Sequence, residues 1–313
     1  MSIFTQLPEQ VYPADGAIFT GLDRPPGFSL DTAKAMAWAA QLAYESDPGK
    51  LTAILERWGM THSDRLLGRL ASFLPIASTK GYIARTDVAT IIAFGGTDPV
   101  RIADWVTDFT FFQTAEGIHR GFENGVEAIW EQLTALVPPR LNATGRLYVA
   151  GHSLGAALAV IAAERLVREN RVPADQMAGI YTFGMPRVGD RDFAARYEAL
   201  LGTKTFRLAY GDDIVPTVPP HDHPFGFNHV GRCLRCRYNQ RFDGSDLVNQ
   251  PTEDPGSLPL LPATVLRLLR QPPRPDTPVH PGDPLAATVI GALPPVVRDH
   301  IPDSYLRGLG ALP

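Results

Sequence analysis

Cysteine is almost absent from these 313 residues. Only Cys233 and Cys236 occur, so no disulfide framework can hold the fold. Lysine is scarce too: four stand at positions 34, 50, 80 and 204, and the rest of the 29 basic residues are arginine. With a net charge of −4 there is no basic excess to recruit nucleic acid, so the arginines reflect compositional bias and not a phosphate-binding surface. No apolar run reaches the roughly 18 residues of a membrane-spanning helix, which excludes a transmembrane segment. Residues 1–21 lack a positive patch followed by a continuous apolar stretch, so no secretory signal is expected. Together with the cysteine usage, this leads to an expectation of a cytoplasmic protein.

The chain is 44% hydrophobic, enough for one large α/β domain over 1–313. Residues 1–29 are punctuated by Pro and Gly and are expected to form an arm that wraps the surface. Asp31 is a candidate cap for a helix reaching about Tyr44. Gly81 to Arg85 and Thr90 to Phe94 read as a hairpin with Thr86-Asp87 at the turn. Phe122, Val126, Ile129, Trp130, Leu133, Leu136 and Val137 repeat at helical spacing, with Pro138-Pro139 as the expected stop.

Strands are expected at 146–150, 179–183 and 205–210, and helices at 154–169 and 190–201. Alternation of this kind predicts an α/β-hydrolase-type, mostly parallel sheet with helices on both faces. Residues 232–298 form a Pro-rich excursion, with twelve prolines between 251 and 295. It is expected to dock through its leucines. A sharper reading makes Leu260, Leu261, Val265, Leu268 and Leu269 an apolar lip at an active site.

What the sequence does hold is a local signature of chemistry. Leu147-Tyr148-Val149-Ala150 runs into Gly151-His152-Ser153-Leu154-Gly155 and then an apolar segment. A serine nucleophile on a sharp strand-to-helix turn needs this G-x-S-x-G context. Glycines there remove Cβ atoms that would clash across the turn, and amides at the helix start face a developing oxyanion. Such a serine needs a base, and the base needs an orienting acid, in chain order Ser, acid, His. Asp212 and Asp213 end the 205–210 strand and are both candidates for the acid. Among eight histidines, His152 neighbours the nucleophile and points elsewhere, while His62 and His119 precede it. His221, His223, His229, His280 and His300 remain. His300 leads a short terminal helix, and His229 follows a strand-like stretch.

Several ordered patterns carry a family resemblance. They are Ile91-Ile92-Ala93-Phe94-Gly95-Gly96-Thr97, Asp104-Trp105-Val106-Thr107-Asp108-Phe109, His119-Arg120-Gly121-Phe122, Gly151-His152-Ser153-Leu154-Gly155 and Tyr181-Thr182-Phe183-Gly184-Met185-Pro186-Arg187-Val188-Gly189-Asp190. Asp213-Ile214-Val215-Pro216, and His300 with Tyr305-Leu306, follow. The chain resembles the class 3 lipase family, which includes fungal triacylglycerol lipases, feruloyl esterases and plant phospholipases.

The resemblance implies Ser153 as nucleophile, Asp213 as acid and His300 as base. It implies an oxyanion hole from the amides of Leu154 and Thr97, with the Thr97 hydroxyl as a third donor. It makes 98–108 a lid, with Trp105, Val106 and Phe109 as lid and substrate-binding residues. The chain departs from the family at Gly95, where Arg is usual. That change is expected to loosen the following loop. The terminal His–Tyr spacing is also wider, and the excursion is long.

The reaction expected is two-step acyl transfer on a lipid-like or small ester, with no cofactor, no metal and no nucleic-acid partner, and with transient contact at a lipid interface. Trp105, Val106, Phe109, Phe111 and Phe112 could surround an acyl groove or simply belong to the core. Phospholipase A1 or feruloyl-type esterase activity are alternatives within the family. Two readings lie in other classes. His221, His223, Cys233 and Cys236 could hold a structural zinc, or the scaffold could be a non-catalytic interaction protein.

Overall fold

The computed structural model describes residues 4–69, 78–96, 112–221, 226–244 and 262–313. Seven strands form one sheet in chain order: β1 (Thr61–Arg69), β2 (Ser78–Arg85), β3 (Thr90–Gly95), β4 (Leu147–His152), β5 (Met177–Phe183), β6 (Thr205–Tyr210) and β7 (Arg232–Cys236). Strands β1 to β3 pair antiparallel, and β3 to β7 pair parallel. The mostly parallel sheet expected from the alternating pattern is therefore present. The β2–β3 hairpin has the expected register, Gly81 opposite Phe94 and Arg85 opposite Thr90. The Ala89 amide donates to Thr86 Oγ1 at 3.0 Å across its turn.

Every residue of β3, β4, β5 and β6 is buried, because helices cover both faces of a parallel sheet. One face carries α3 (Arg120–Glu127), α4 (Trp130–Thr144), α5 (Leu154–Arg168) and α6 (Arg191–Leu201). Phe122, Val126, Leu133, Val137, Leu158, Ile161 and Phe193 fill that layer. The opposite face is covered by α1 (Leu30–Leu42), α2 (Pro48–Arg57), the N-terminal arm and α10 (Pro302–Gly308), through Trp38, Ile54, Tyr181, Phe206 and Tyr305. The arm therefore does more than wrap the surface. Its Leu7, Tyr12, Phe19 and Leu22 are buried, and the Phe19 and Trp58 rings lie 5.2 Å apart.

Five local expectations are corrected. Ser29, not Asp31, caps α1, with Ser29 Oγ accepting from Thr32 N, because Asp31 already lies in the first helical turn. The expected helix from Phe122 breaks at Ile129, whose φ of −124° is not helical, and restarts at Trp130. It then passes through Pro138 and Pro139 instead of stopping. Burial of Leu133, Val137 and Leu141 on the sheet outweighs the lost amide donors, and the helix ends only at left-handed Gly145, whose amide reaches Leu141 O at 2.7 Å.

The two remaining corrections concern strands. His229 ends no strand, since Asn228 makes only an isolated bridge to Gly189. Cys233 and Cys236 lie in β7, an edge strand that the sequence reading missed. Residues three apart in a strand face opposite sides of the sheet, so this pair cannot chelate one ion.

The excursion docks through short helices. α7 (Pro262–Leu269) buries Val265 in the same apolar layer as Val296 and Val297 of α9 (Pro295–Arg298). α8 (Pro284–Gly291) buries Ala286 and Ile290. The excursion therefore docks, but mainly through these residues and not through its leucines, since Leu268, Leu269 and Leu293 are only partly buried and Leu266 and Leu285 are exposed; Leu260 and Leu261 lie outside the described residues. Among those residues, no helix is long and apolar enough to cross a membrane.

Candidate active site

The strand-to-helix turn after β4 places Ser153 at φ 60°, ψ −130°, a conformation that costs a non-glycine residue on the order of 1–3 kcal/mol. The turn survives because its neighbours admit nothing larger. A Cβ on Gly151 would sit 2.2 Å from Gly155 O, and one on Gly155 would sit 2.5 Å from Phe94 O. Ser153 N donates to Phe183 O at 2.9 Å, tying the turn to the end of β5. Leu154 opens α5, so its amide belongs to the helical turn that has no intrahelical acceptor.

Asp213 and His300 are brought together from 87 positions apart. His300 Nδ1 lies 2.8 Å from Asp213 Oδ2 and 2.9 Å from Oδ1. Both side chains are essentially inaccessible to water. A carboxylate that only accepts fixes the proton on Nδ1, which leaves Nε2 as the acceptor nitrogen. Among the described residues Nε2 is buried and has no hydrogen-bond partner. The pair also borders the end of β5, since a Cβ on Gly184 would lie 2.8 Å from both Asp213 Oδ2 and His300 Nδ1.

Asp213 is held by two further donors. Val215 N donates to Oδ1 at 2.8 Å, and the Tyr305 hydroxyl donates to Oδ2 at 2.5 Å. Burial, and then the charge of Asp213, push the Tyr305 phenol well above its ordinary value of 10, so it stays protonated and donating. The wider His–Tyr spacing is accommodated because α10 begins at Pro302 and carries Tyr305 back to the carboxylate in its first turn.

His152 supplies a contact that the sequence reading passed over. Its Nε2 donates to the His300 carbonyl at 2.7 Å, and its Nδ1 accepts from the Tyr44 hydroxyl at 2.6 Å. Burial, and then the neighbouring His300, lower its pKa well below 6.5, which keeps this imidazole neutral. The motif residue before Ser153 thus steadies the backbone of His300. Tyr305 was visible in the terminal motif without a role, whereas Tyr44, 109 positions before Ser153, carried no local signal.

The other candidates lie elsewhere. Asp212 turns away from the pair, and Arg274 donates to its Oδ2. His229 donates from Nε2 to Pro216 O at 2.8 Å, and His221 from Nδ1 to Phe227 O at 3.1 Å. His280 packs against Asp303. Phe112 is 60% exposed, with the Arg120 guanidinium 5.5 Å from its ring centre. Thr97, Trp105, Val106, Phe109, Phe111 and His223 lie outside the described residues. The loop expected to be loosened by Gly95 lies outside the described residues from Thr97 onward; Gly95 itself is closely packed, since a Cβ there would lie 2.8 Å from Ala43 O. Among the described residues no group of three or more His, Cys, Asp or Glu side chains is arranged to hold a metal.

A proton relay is the chemistry this arrangement suits. An acceptor nitrogen, oriented by a buried carboxylate, belongs to a ring whose centre lies 4.7 Å from that of His152, the residue before a strained serine at the head of a helix.

Comparison with known proteins agrees with that geometry. Residues 91–223 match the family Lipase (class 3). A relative named triacylglycerol lipase OBL1 from Ricinus communis is 27% identical over 274 residues, covering 69% of this chain and 51% of that protein. A lipase from Rhizopus niveus is 35% identical over 164 residues, covering 50% of this chain and 41% of its own length. The chain thus spans about half the length, or less, of these curated relatives. The crystal structure of a lipase from Rhizopus microsporus var. chinensis superposes with a TM-score of 0.54 at 25% identity, covering 77% of this chain and 84% of that one. The strand-to-helix turn, Asp213 and strands β4 to β6 lie inside the stretch that matches the class 3 lipase family, to which this chain is similar.

Proposed function

We propose that the protein is a serine carboxylic-ester hydrolase that cleaves acylglycerol-like or other lipid esters through an acyl-enzyme on Ser153. The observation that carries this reading is the buried Asp213–His300 pair, with Nε2 left as acceptor beside the elbow. His300 Nε2 takes the Ser153 proton as Oγ attacks the ester carbonyl carbon. The tetrahedral oxyanion is held by the Leu154 amide and by Thr97. One such donor is worth about 3–4 kcal/mol. Collapse breaks the ester C–O bond, and His300 returns the proton to the leaving alcohol. A water molecule, deprotonated by the same nitrogen, then releases the acid and restores Ser153. Asp213 keeps the imidazole tautomer and stabilises its charged form.

The acylglycerol class is supported by similarity to a triacylglycerol lipase from Ricinus communis and a secreted mono- and diacylglycerol lipase from Fusarium solani. Transient contact with a lipid interface goes with that substrate. The test is hydrolysis of p-nitrophenyl esters from acetate to palmitate, with and without an emulsified interface, for the wild type and Ser153→Ala. Loss of the nucleophile should cost about 10⁶ in turnover while the far-ultraviolet spectrum is unchanged. Near-normal activity in a folded Ser153→Ala protein would remove this reading.

A further inference from the structure

We propose that the Pro-rich excursion positions the acid and the base through Arg274, which clamps together the residues immediately before them. The inference rests on Asp213 and His300 acting as acid and base. Arg274 Nη1 donates to Asp299 Oδ1 at 2.7 Å, and Nη2 donates to Asp212 Oδ2 at 2.5 Å. The two aspartates are also joined directly, with Asp212 N donating to Asp299 Oδ2 at 2.7 Å. Each precedes a member of the Asp213–His300 pair by one residue. One guanidinium therefore crosslinks two loops 87 positions apart, next to the 2.8 Å contact between Nδ1 and Oδ2.

The charges explain why an arginine is needed there. The Asp299 side chain is 1% exposed, and a buried carboxylate requires a counter-charge. Arg274 supplies it while its plane lies against Tyr238, 3.8 Å from the ring centre. A planar fork can reach two carboxylates and stack at once, whereas an ammonium cannot.

A second anchor holds the other side of His300. Arg298 donates to Asp303 Oδ1 and Oδ2 at 3.0 and 2.8 Å, and to the excursion at Pro278 O at 3.1 Å. Arg307 donates to Val279 O at 2.8 Å. Residues 274–279 thus grip the His300 loop from both ends. Arg274 alone reaches the acid loop as well, so it is the positioning residue of the pair.

The test compares the full-length wild type, Arg274→Ala, Arg274→Gln and Arg274→Lys. A misplacement of about 1 Å in a reacting group costs about 100-fold, so kcat of Arg274→Ala should fall roughly 10- to 100-fold while KM stays within about twofold. Arg274→Gln keeps the stem and the stacking and should recover little. Arg274→Lys should recover less than half, because one ammonium cannot bridge both carboxylates. A readout independent of ester turnover is the His300 Nδ1 proton in a Ser153→Ala background. Its NMR signal should broaden and exchange faster with water when Arg274 is replaced.

Unchanged kcat together with an unchanged His300 signal overturns the proposal. So does a kcat loss no larger than the loss of folded protein, or full recovery by Arg274→Gln. If the wild type cleaves no ester, the functional reading fails, while the His300 signal still decides whether the clamp orders that loop.

Discussion

Replacing Asp213 by Asn tests the geometry most sharply, because the change keeps shape and removes charge. The carboxylate accepts from three donors: His300 Nδ1, the Tyr305 hydroxyl and Val215 N. A carboxamide has one oxygen and one NH₂, so an NH₂ must face a donor at either Oδ position. If it faces Nδ1, the ring is driven to the tautomer with its proton on Nε2, the nitrogen that must accept. If it faces Tyr305, whose oxygen also receives Tyr210 N at 3.3 Å, a buried hydroxyl loses its acceptor.

The first outcome removes the base, and the equivalent change in a well-studied triad costs about 10⁴ in rate, or about 5.5 kcal/mol of barrier. The loss of stability should be smaller, about 1–3 kcal/mol, because a neutral amide is cheaper to bury. The assay is kcat/KM on p-nitrophenyl butyrate, with ¹⁵N spectra of the imidazole to read the tautomer. Asp212→Asn is the control. Its side chain is 66% exposed and leaves the Arg274–Asp299 contact intact, so activity should drop only a few-fold. A tenfold or smaller loss in Asp213→Asn, or a greater loss in Asp212→Asn, would refute the assignment.

Other expectations follow from the same contacts. Tyr44→Phe removes the hydroxyl that His152 Nδ1 accepts from, so unfolding free energy should fall by about 1–2 kcal/mol, read by denaturant titration. An unchanged midpoint would show that this buried contact contributes nothing. His152 and His229 both have folded-state pKa values depressed mainly by burial. Each therefore binds fewer protons folded than unfolded below pH 6.5, so stability should be highest above pH 6.5 and decline as pH falls below it. Thermal unfolding from pH 8 to pH 5 checks this, and His229→Asn should flatten the decline. A midpoint that rises on acidification would contradict it.

Some elements were legible because a local pattern had only one physical outcome. Strands β3 to β6 are mostly apolar, as a sheet buried on both faces requires, with Arg207 in β6 as a buried charged exception. The elbow was recognisable because only glycines fit at 151 and 155. Strand β1, Thr-His-Ser-Asp-Arg-Leu-Leu-Gly-Arg, was not legible, since its half-exposed edge position tolerates polar residues. Pro138 and Pro139 misled for the opposite reason, as packing of Val137 and Leu141 on the sheet overrode the local stop signal.

The sequence by itself determined the class of fold, the serine and the chain order of its partners. Those properties live in short spacings: the period of an apolar run, the five residues of the elbow, an acid just past a strand. The resemblance then singled out Asp213 and His300 from several candidates. Only the tertiary structure decided what surrounds them. It put Tyr305 on the Asp213 carboxylate, Tyr44 and His152 behind the His300 backbone, and Arg274 across the two loops. These contacts join residues far apart in the chain, and their strength comes from burial. A hydrogen bond or ion pair matters most where water cannot replace it, and that condition belongs to the packed fold, not to any stretch of sequence.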